Sequence, residues 1–269
     1  MEGSRVRRPA FAGQFYPGTA QELKRNIDSL VVKNAKKQDI IACMLPHAGY
    51  MYSGKVAAET ISRINLKDRI ILLGPNHTGY GSPFSIMTDG TWQTPLGDVK
   101  IDKELAKKIL AASKFLENDA LAHMYEHSLE VELPFLQYFK SDFQIVPIAF
   151  LTDDINGLKE VGKEIAIAIK GSGAMMVASS DMTHYESQQE ASRKDSEAIK
   201  AVLELNEDKL MERIRGQGIS MCGYAPAIAM ISAAKALGAK NAELVKYQTS
   251  GDVTGDMDSV VGYAGIIIY

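Results

Sequence analysis

Short apolar runs alternate with helix-patterned segments along almost the whole chain, and this alternation most constrains the fold. We predict strands at residues 40–45, 69–73, 145–151, 174–179, 244–247 and 260–269. Between them, apolar residues recur at i, i+3 and i+4 spacing, which predicts helices at 19–32, 54–64, 103–113, 128–139, 155–169, 186–205 and 226–237. Because strands that alternate with helices form parallel sheets covered on both faces, we expect a three-layer α/β/α fold with a mainly parallel central sheet.

The segment 88–101 departs from this alternation. An Asp-Gly pair at 89–90 and a Gly-Asp pair at 97–98 flank a short run, and such pairs are typical of tight turns. We therefore predict a β-hairpin or an edge extension of the sheet here. The 269 residues contain no linker long enough to divide the chain, so we predict one domain over residues 1–269.

The charges of the chain are nearly balanced, with 30 Lys and Arg against 33 Asp and Glu and a formal net charge of −3. That balance excludes a strongly basic nucleic-acid or membrane binder. Two cysteines are too few for a disulfide framework, and no apolar run approaches the roughly 20 residues of a membrane span. The start of the chain lacks the apolar core of a secretory signal. We expect a cytoplasmic protein with no nucleic-acid or membrane partner.

Three of the five histidines end a strand-then-turn segment, and their placement is the main functional signal. The run IIACMLPH ends on His47, IILLGPNH on His77 and MMVASSDMTH on His184. In open α/β sheets, ligands bind beyond the carboxyl ends of the strands, so these three imidazoles can converge there. Neutral imidazole is the commonest metal ligand, and a site with three protein ligands leaves a position for water or substrate. We therefore predict a metal site.

Cys222 is the candidate for a fourth ligand. It stands just before a predicted helix that opens with Pro226, so its sulfur is expected near backbone N–H groups and the positive end of the helix dipole. That position favours a thiolate with a lowered pKa. Cys43 lies inside the apolar run IIACML, which is typical of a buried and unreactive thiol.

The remaining candidates surround this pocket. Asp181 stands three residues before His184, close enough on a tight turn to accept a hydrogen bond from a ring nitrogen or a bound water. His127 is a candidate for acid–base chemistry at the rim of the same crevice. Phe15 and Tyr50 are candidates for lining the cleft and contacting a substrate.

An alternative metal motif overlaps these residues. The stretch HMYEH, with His123, Glu126 and His127, matches H-x-x-E-H, in which two helical histidines hold zinc and the glutamate acts as a base. This reading leaves the three strand-end histidines without a role. We therefore rank a zinc protease below the strand-end site.

Eight short motifs are spread over nearly the whole chain, and they follow one another in the order known from a protein family. They are AFAGQFYPG near the start, LPHAGYMYSG at His47, LLGPNHTG at His77, TPLGDVKID, EHSLEVELPFLQ at His127, SSDMTHY at His184, MCGYAP at Cys222 and the closing SVVGYAG. On these motifs the chain resembles the Memo family, called AmmeMemoRadiSam system protein B in prokaryotes. The family is similar in fold to the class III extradiol dioxygenases, which use non-haem iron(II). The resemblance therefore implies a dioxygenase-like fold.

The resemblance also implies which residues form the pocket. It places there His47, His77 and His184 with Cys222 beside them, Asp181 at the acidic position, and Phe15 where relatives carry another aromatic residue. Extradiol dioxygenases hold iron with two histidines and a carboxylate, whereas here a thiolate takes the place of the carboxylate. Because sulfur is a softer ligand, the expected cofactor is a divalent transition metal that can be iron, copper or zinc.

Three classes of function stay open from the sequence. The first is a metal-dependent redox enzyme, such as an oxygenase, in which Asp181 and His127 move protons. The second is a binding module whose pocket accepts a phosphorylated or carboxylated peptide, and the third is a metal-assisted hydrolase. The expected pocket ligand is a small molecule or a peptide, and the family resemblance adds a radical-SAM protein as a partner.

Overall fold

A computed structural model describes residues 6–269 of the chain and shows a twelve-stranded sheet with helices on both of its faces. The strands are β1 Val6–Arg7, β2 Ala42–Leu45, β3 Arg69–Pro75, β4 Phe84–Ile86, β5 Thr91–Thr94, β6 Gly97–Ile101, β7 Glu117–Asn118, β8 Gln144–Phe150, β9 Met175–Ser179, β10 His184–Glu186, β11 Ala242–Thr249 and β12 Val260–Ile268. The helices are α1 Ala20–Leu30, α2 Tyr50–Ser62, α3 Lys103–Ala112, α4 Leu121–Met124, α5 Glu132–Phe139, α6 Ile155–Ile169, α7 Gln188–Leu203, α8 Glu207–Gln217, α9 Tyr224–Ala236 and α10 Gly251–Thr254.

The centre of the sheet is parallel. Strands β8, β3, β9 and β2 lie side by side in that order and pair in parallel register, and β12 continues the sheet from β2 in antiparallel register. All four residues of β2 and all five of β9 are buried, as expected for strands covered on both faces. This burial accounts for the continuous apolar runs in the sequence.

Helices cover both faces of this sheet. A Cβ at Gly265 in β12 would meet the Thr60 side chain of α2, whereas a Cβ at Gly262 would meet the Asp195 side chain of α7. Since the two glycines lie three residues apart on one strand, α2 and α7 lie on opposite faces. Helix α9 packs against β3 and β9 and also against α6, which completes the second helical layer. The predicted α/β/α class is confirmed.

The predicted hairpin is confirmed, because β5 and β6 pair in antiparallel register. Two predicted helices begin at other residues, and one helix was not predicted. Helix α2 begins at Tyr50 rather than at residue 54. Helix α5 begins at Glu132 rather than near residue 128, since the Ser128 hydroxyl donates to the Pro75 carbonyl instead of capping a helix. Helix α8 was not predicted, because its sequence is mostly charged and its few buried apolar residues give only a weak helical pattern. Within residues 6–269, no helix has the length and apolar character to cross a membrane.

Candidate metal centre

The ends of three neighbouring parallel strands bring the site together. His47 lies two residues beyond β2, His77 two residues beyond β3 and Asp181 two residues beyond β9. Strand β9 lies between β2 and β3, and Leu45 at the end of β2 is paired with Ser179 at the end of β9. The sheet register therefore delivers side chains from distant parts of the sequence to one crevice, as expected at the carboxyl edge of a parallel sheet.

His47, His77 and Cys222 form the first group that can hold a metal ion. One ligand atom from each of the three lies within 4.8 Å of the others. The Cys222 Sγ lies 3.2 Å from the Nε2 of His47, and the rings of His47 and His77 are 5.2 Å apart between centroids. Two imidazoles and one sulfur therefore converge from three separate segments.

A close backbone approach brings Cys222 to the strand ends. A Cβ on Gly223 would lie 2.3 Å from the Ser180 Cβ and 2.4 Å from the Ser179 carbonyl oxygen, so only glycine allows this contact. The Gly223 N–H also donates to the Ser180 hydroxyl at 3.1 Å. These contacts dock the segment before α9 against the end of β9 and place the thiol beside His47.

The hydrogen bonds of the two histidines decide which ring nitrogen faces the group. The Nδ1 of His47 lies 2.8 Å from the Ser179 hydroxyl, and the Nδ1 of His77 lies 2.8 Å from the Glu126 carboxylate. An ionised carboxylate only accepts, so the Nδ1 of His77 carries a proton and its Nε2 is the ring nitrogen left to face the group. This arrangement, with Nδ1 bound to the protein and Nε2 available, is the usual one for metal-ligating histidine.

Glu126 holds His77 from two sides. Its carboxylate accepts from the His77 backbone N–H at 2.5 Å, from the Ser128 N–H at 2.9 Å and from the His77 ring. Burial acts to raise the pKa of Glu126, but the hydrogen bond from the His77 ring and the electrostatic interactions with His77 and His127 lower it to about 2. Glu126 is therefore ionised at neutral pH and orients the His77 ring.

The electrostatics keep the buried imidazoles neutral. Burial, together with repulsion from His77, lowers the pKa of His47 to about 3. Burial and repulsion from His47 lower the pKa of His127 to about 4. Neutral imidazole is the form that binds metals, so at neutral pH these rings need to lose no proton before they can coordinate.

The Cys222 thiol differs from the prediction. Burial and the neighbouring Asp181 carboxyl raise its pKa well above the ordinary value, so the protein alone holds a thiol rather than a thiolate. Helix α9 begins two residues later, at Tyr224, but burial has the largest effect on the pKa of the thiol, and backbone hydrogen bonds lower that pKa only in part. The predicted thiolate is therefore wrong without a cation. A bound metal ion would supply the positive charge that deprotonates a coordinating thiol.

Asp181 supports the loop that carries His47. Its Oδ1 accepts from the backbone N–H of His47 at 2.8 Å and of Ala48 at 3.3 Å, and its Oδ2 lies 4.0 Å from the His47 Nε2. Burial raises the pKa of this carboxyl despite those hydrogen bonds. The predicted acidic residue therefore lies at the site and touches the backbone of one histidine.

His184 stands apart from the group. Its ring Nδ1 lies 2.9 Å from the Ser220 carbonyl oxygen. Its backbone N–H donates to the Ser220 hydroxyl at 2.8 Å. It is near enough for its charge to act on His47 and Asp181. Among residues 6–269, however, the groups with convergent ligand atoms do not include it. The strand-end pattern predicted three convergent histidines, and the structure brings two together.

His127 joins the site as part of a second group with His77 and Glu126. Its ring stacks on His77 with centroids 4.6 Å apart, and its Nδ1 lies 3.4 Å from the Glu126 carboxylate. The rings of Phe15 and Phe11 lie 4.8 Å and 5.4 Å from it. Phe15 therefore lies against the histidine cluster, and the aromatic rings cover one side of it.

A buried ion pair holds this aromatic cover in place. Arg7 in β1 bonds the Glu130 carboxylate at 2.6 Å, and the same carboxylate accepts from the Ala10 and Phe11 backbone N–H groups and from the Tyr16 hydroxyl. We call Arg7, Glu130 and Tyr16 the N-terminal clamp. The clamp was not predicted from the sequence, although the motif AFAGQFYPG contains Tyr16 and the motif EHSLEVELPFLQ contains Glu130.

Two other candidates lie outside the site. Tyr50 is buried in the core, where its ring stacks on Phe135 at 4.2 Å and its hydroxyl donates to the Val131 carbonyl, so its side chain does not line the cleft. His123 is fully buried with its ring 5.9 Å from Trp92, and neither group of convergent ligands among the described residues contains it. The H-x-x-E-H alternative therefore loses one of its two histidines.

A spacious cavity of the protein surface lies away from this chemistry. It has a volume of about 760 Å³ and lies between the segment from Val6 to Ala10 and the segment from Asn118 to Tyr125. No histidine lines it. The convergent imidazoles and thiol, rather than the volume of a cavity, identify the candidate site.

Comparison with known proteins agrees with the motif pattern. The family profile described as Memo-like protein matches residues 7–267. Proteins named MEMO1 family protein are 46% identical over 98% of this chain and 99% of the protein in Methanosarcina mazei, and 44% identical over 98% of this chain and 99% of the protein in Aquifex aeolicus. Among solved structures, an uncharacterized protein of Escherichia coli K12, JW3007, is similar with a TM-score of 0.58 at 14% identity, covering 85% of this chain and 99% of that one. At that identity the structural likeness shows the fold alone.

Proposed function

We propose that this chain, which belongs to the Memo family, binds a divalent transition metal through His47, His77 and Cys222 and uses it in redox chemistry. The observation that carries the proposal is the convergence of their ligand atoms within 4.8 Å. Both rings are held to the protein through Nδ1, and the Nε2 of His47 lies 3.2 Å from the Cys222 sulfur on the side where the ligand atoms converge.

The donor set fits a transition metal better than calcium or magnesium. Two imidazole nitrogens and one thiol sulfur are ligands that iron, copper and zinc accept, whereas calcium and magnesium prefer oxygen. Three protein ligands leave at least one position open, which is the mark of a catalytic rather than a purely structural site. An iron or copper ion held there would supply one-electron chemistry.

The surrounding residues have separate tasks in this proposal. His127 lies on the rim with a neutral ring, so it can accept a proton from a substrate and return it. Phe11 and Phe15 cover the histidines on one side and exclude water there. Asp181 holds the backbone of His47 and can accept a proton close to the ligand nitrogens.

Metal content of matched variants tests the binding step. We expect about one ion per chain in protein purified without oxygen, and its loss in His77→Ala and Cys222→Ala. The controls are His184→Ala, which lies outside the convergent group, and Cys43→Ala, which removes the buried thiol of β2. Full metal in Cys222→Ala, or equal loss in His184→Ala, contradicts the ligand assignment.

Oxygen dependence tests the redox step. Wild-type protein loaded with iron or copper should consume oxygen when given a reductant, and His127→Ala should lower the rate while keeping the metal. Turnover that continues unchanged without oxygen or any electron acceptor would favour a metal-assisted hydrolase. Metal-independent binding of a phosphorylated or carboxylated peptide, without turnover, would favour a binding module.

A further inference from the structure

Glu132 is a buried acid that the proposed chemistry does not use. It opens α5, is fully buried, and touches the hydroxyl that His47 also touches. We infer that Glu132 is a positioning residue: as a neutral carboxylic acid it donates to Ser179, and through Ser179 it sets the orientation and tautomer of His47. The inference rests on the proposed metal site for its functional meaning, but its chemistry can be tested without metal.

The geometry forms a hydrogen-bonded chain around one oxygen atom. Ser179 Oγ lies 2.7 Å from the Ser128 carbonyl oxygen, 3.0 Å from Glu132 Oε1 and 2.8 Å from His47 Nδ1. All four residues are buried. Because these are short contacts in a place removed from water, each needs a proton between its two heavy atoms.

Counting protons assigns a direction to each bond. A serine hydroxyl donates one hydrogen and accepts two. The Ser128 carbonyl oxygen has no proton, so it takes the hydroxyl hydrogen of Ser179. Ser179 Oγ must then accept from both remaining neighbours, which requires a proton on Glu132 Oε1 and a proton on His47 Nδ1. An ionised Glu132 would compete with the Ser128 carbonyl for the same hydrogen and leave one acceptor unpaired.

The surroundings of Glu132 favour the neutral form. Within the described chain its second oxygen, Oε2, is buried without a hydrogen-bond partner, a much smaller cost for a neutral acid than for a carboxylate. No cation is paired with it among the described salt bridges. Burial, together with the charge of Asp181, raises its pKa well above the ordinary value.

The consequence lies at the other ring nitrogen of His47. With a proton on Nδ1, the lone pair is on Nε2, the atom 3.2 Å from the Cys222 sulfur. If the Ser179 hydroxyl turned toward His47 instead, the Nε2 would carry a hydrogen and could not coordinate. The donor on Glu132 therefore holds the hydroxyl in the direction that keeps the ligand nitrogen available.

Three variants separate this role from packing. Glu132→Gln keeps an N–H donor at the same place, Glu132→Leu removes the donor, and Ser179→Ala removes the acceptor for His47. In metal-free protein we expect nitrogen-15 NMR to show His47 with its proton on Nδ1 in wild type and Glu132→Gln. We expect a mixture of tautomers in Ser179→Ala and a partial mixture in Glu132→Leu. Unchanged tautomers in both of the last two would overturn the inference.

Infrared spectroscopy measures directly whether the Glu132 carboxyl group is protonated. The wild type should show a carbonyl stretch of a protonated carboxylic acid at neutral pH, and Glu132→Gln should lose that band. Absence of the band in wild type overturns the inference, even if Glu132→Leu proves too unstable to purify.

Zinc titration against a coloured chelator connects the inference to the site. Outer partners of metal-ligating histidines are worth about 10- to 100-fold in affinity. We expect a loss in that range for Ser179→Ala, a loss near its lower end for Glu132→Leu, and affinity close to wild type for Glu132→Gln. Wild-type zinc affinity in Glu132→Leu would count against the positioning role. If wild-type protein binds no zinc, the proposed function fails while the NMR and infrared tests still decide the state of Glu132.

Discussion

Two polar clusters lie side by side in this molecule, the N-terminal clamp fully buried and the metal centre partly exposed, and they use their hydrogen-bonding atoms differently. In the N-terminal clamp, Arg7 donates to the His123 carbonyl, to the Glu130 carboxylate and to the Glu126 carbonyl, so all three guanidinium nitrogens are engaged within the protein. In the metal centre, each of His47 and His77 is held through Nδ1, and the Nε2 of His47 lies beside the Cys222 sulfur where the ligand atoms converge. A cluster whose donors are all paired within the protein stabilises the fold, whereas a cluster whose ligand atoms converge within 4.8 Å can hold a metal ion.

The largest effect should come from breaking the clamp. Arg7→Met leaves Glu130 buried without its cation, and removing one partner of a buried ion pair costs about 3–5 kcal/mol of unfolding free energy. Urea unfolding measures it, with Arg8→Met as the control, since Arg8 is the exposed neighbour. The folded fraction of Arg7→Met should still bind zinc. A small change in unfolding free energy would mean that the clamp is not the stabilising cluster.

In contrast to the clamp, Cys222 is expected to affect stability only when a metal ion is bound. A ligand that binds only the folded state at 100 times its dissociation constant raises the unfolding free energy by about 2.7 kcal/mol. Zinc should therefore stabilise wild type and Arg8→Met by about that amount and Cys222→Ser by much less. Without zinc, Cys222→Ser should unfold close to wild type. If Cys222→Ser is strongly destabilised without metal, the thiol belongs to the fold rather than to a ligand site.

Glu126 belongs to both clusters, because its carbonyl accepts from Arg7 and its carboxylate holds His77. Glu126→Gln keeps the carbonyl and removes the charge that orients the ring. We expect a loss of about 10- to 100-fold in zinc affinity, in the range typical of such partners. Calorimetric titration measures it, with Glu130→Gln as the matched change in the clamp. Greater loss of zinc affinity in Glu130→Gln than in Glu126→Gln would remove the distinction between the clusters.

The smallest change, taken per pH unit, concerns Glu132. Its pKa in the fold is raised above the ordinary 4.5, so its contribution to stability is fully present below pH 4.5 and is lost as pH rises toward the folded value. The unfolding free energy of wild type minus that of Glu132→Gln should therefore fall by about 1.4 kcal/mol per pH unit above 4.5. Urea unfolding at several pH values tests this. A difference that does not change with pH would mean that Glu132 is ionised in the fold.

The local patterns of the sequence predicted the α/β/α fold class and the central strands. Apolar runs and helical spacing placed the four central strands within a few residues of their observed bounds, because these patterns reflect which residues face the core. The same runs predicted that His47 and His77 each follow the end of a strand. Helix α8 escaped prediction because it buries only a narrow stripe beneath many charges.

Only the tertiary structure decided the chemistry of the site, because that chemistry depends on partners far apart in the chain. Glu126 reaches His77 across 49 positions, and Ser179 reaches His47 across 132. Periodicity over a few residues carries no information about such pairs. His184 shares the strand-end pattern but lies outside the convergent group, since its ring is held by Ser220. The protonation of Cys222 could not be predicted from its neighbours in the sequence either. The sequence shows only that Cys222 precedes a helix, whereas its burial between three segments raises the pKa of the thiol.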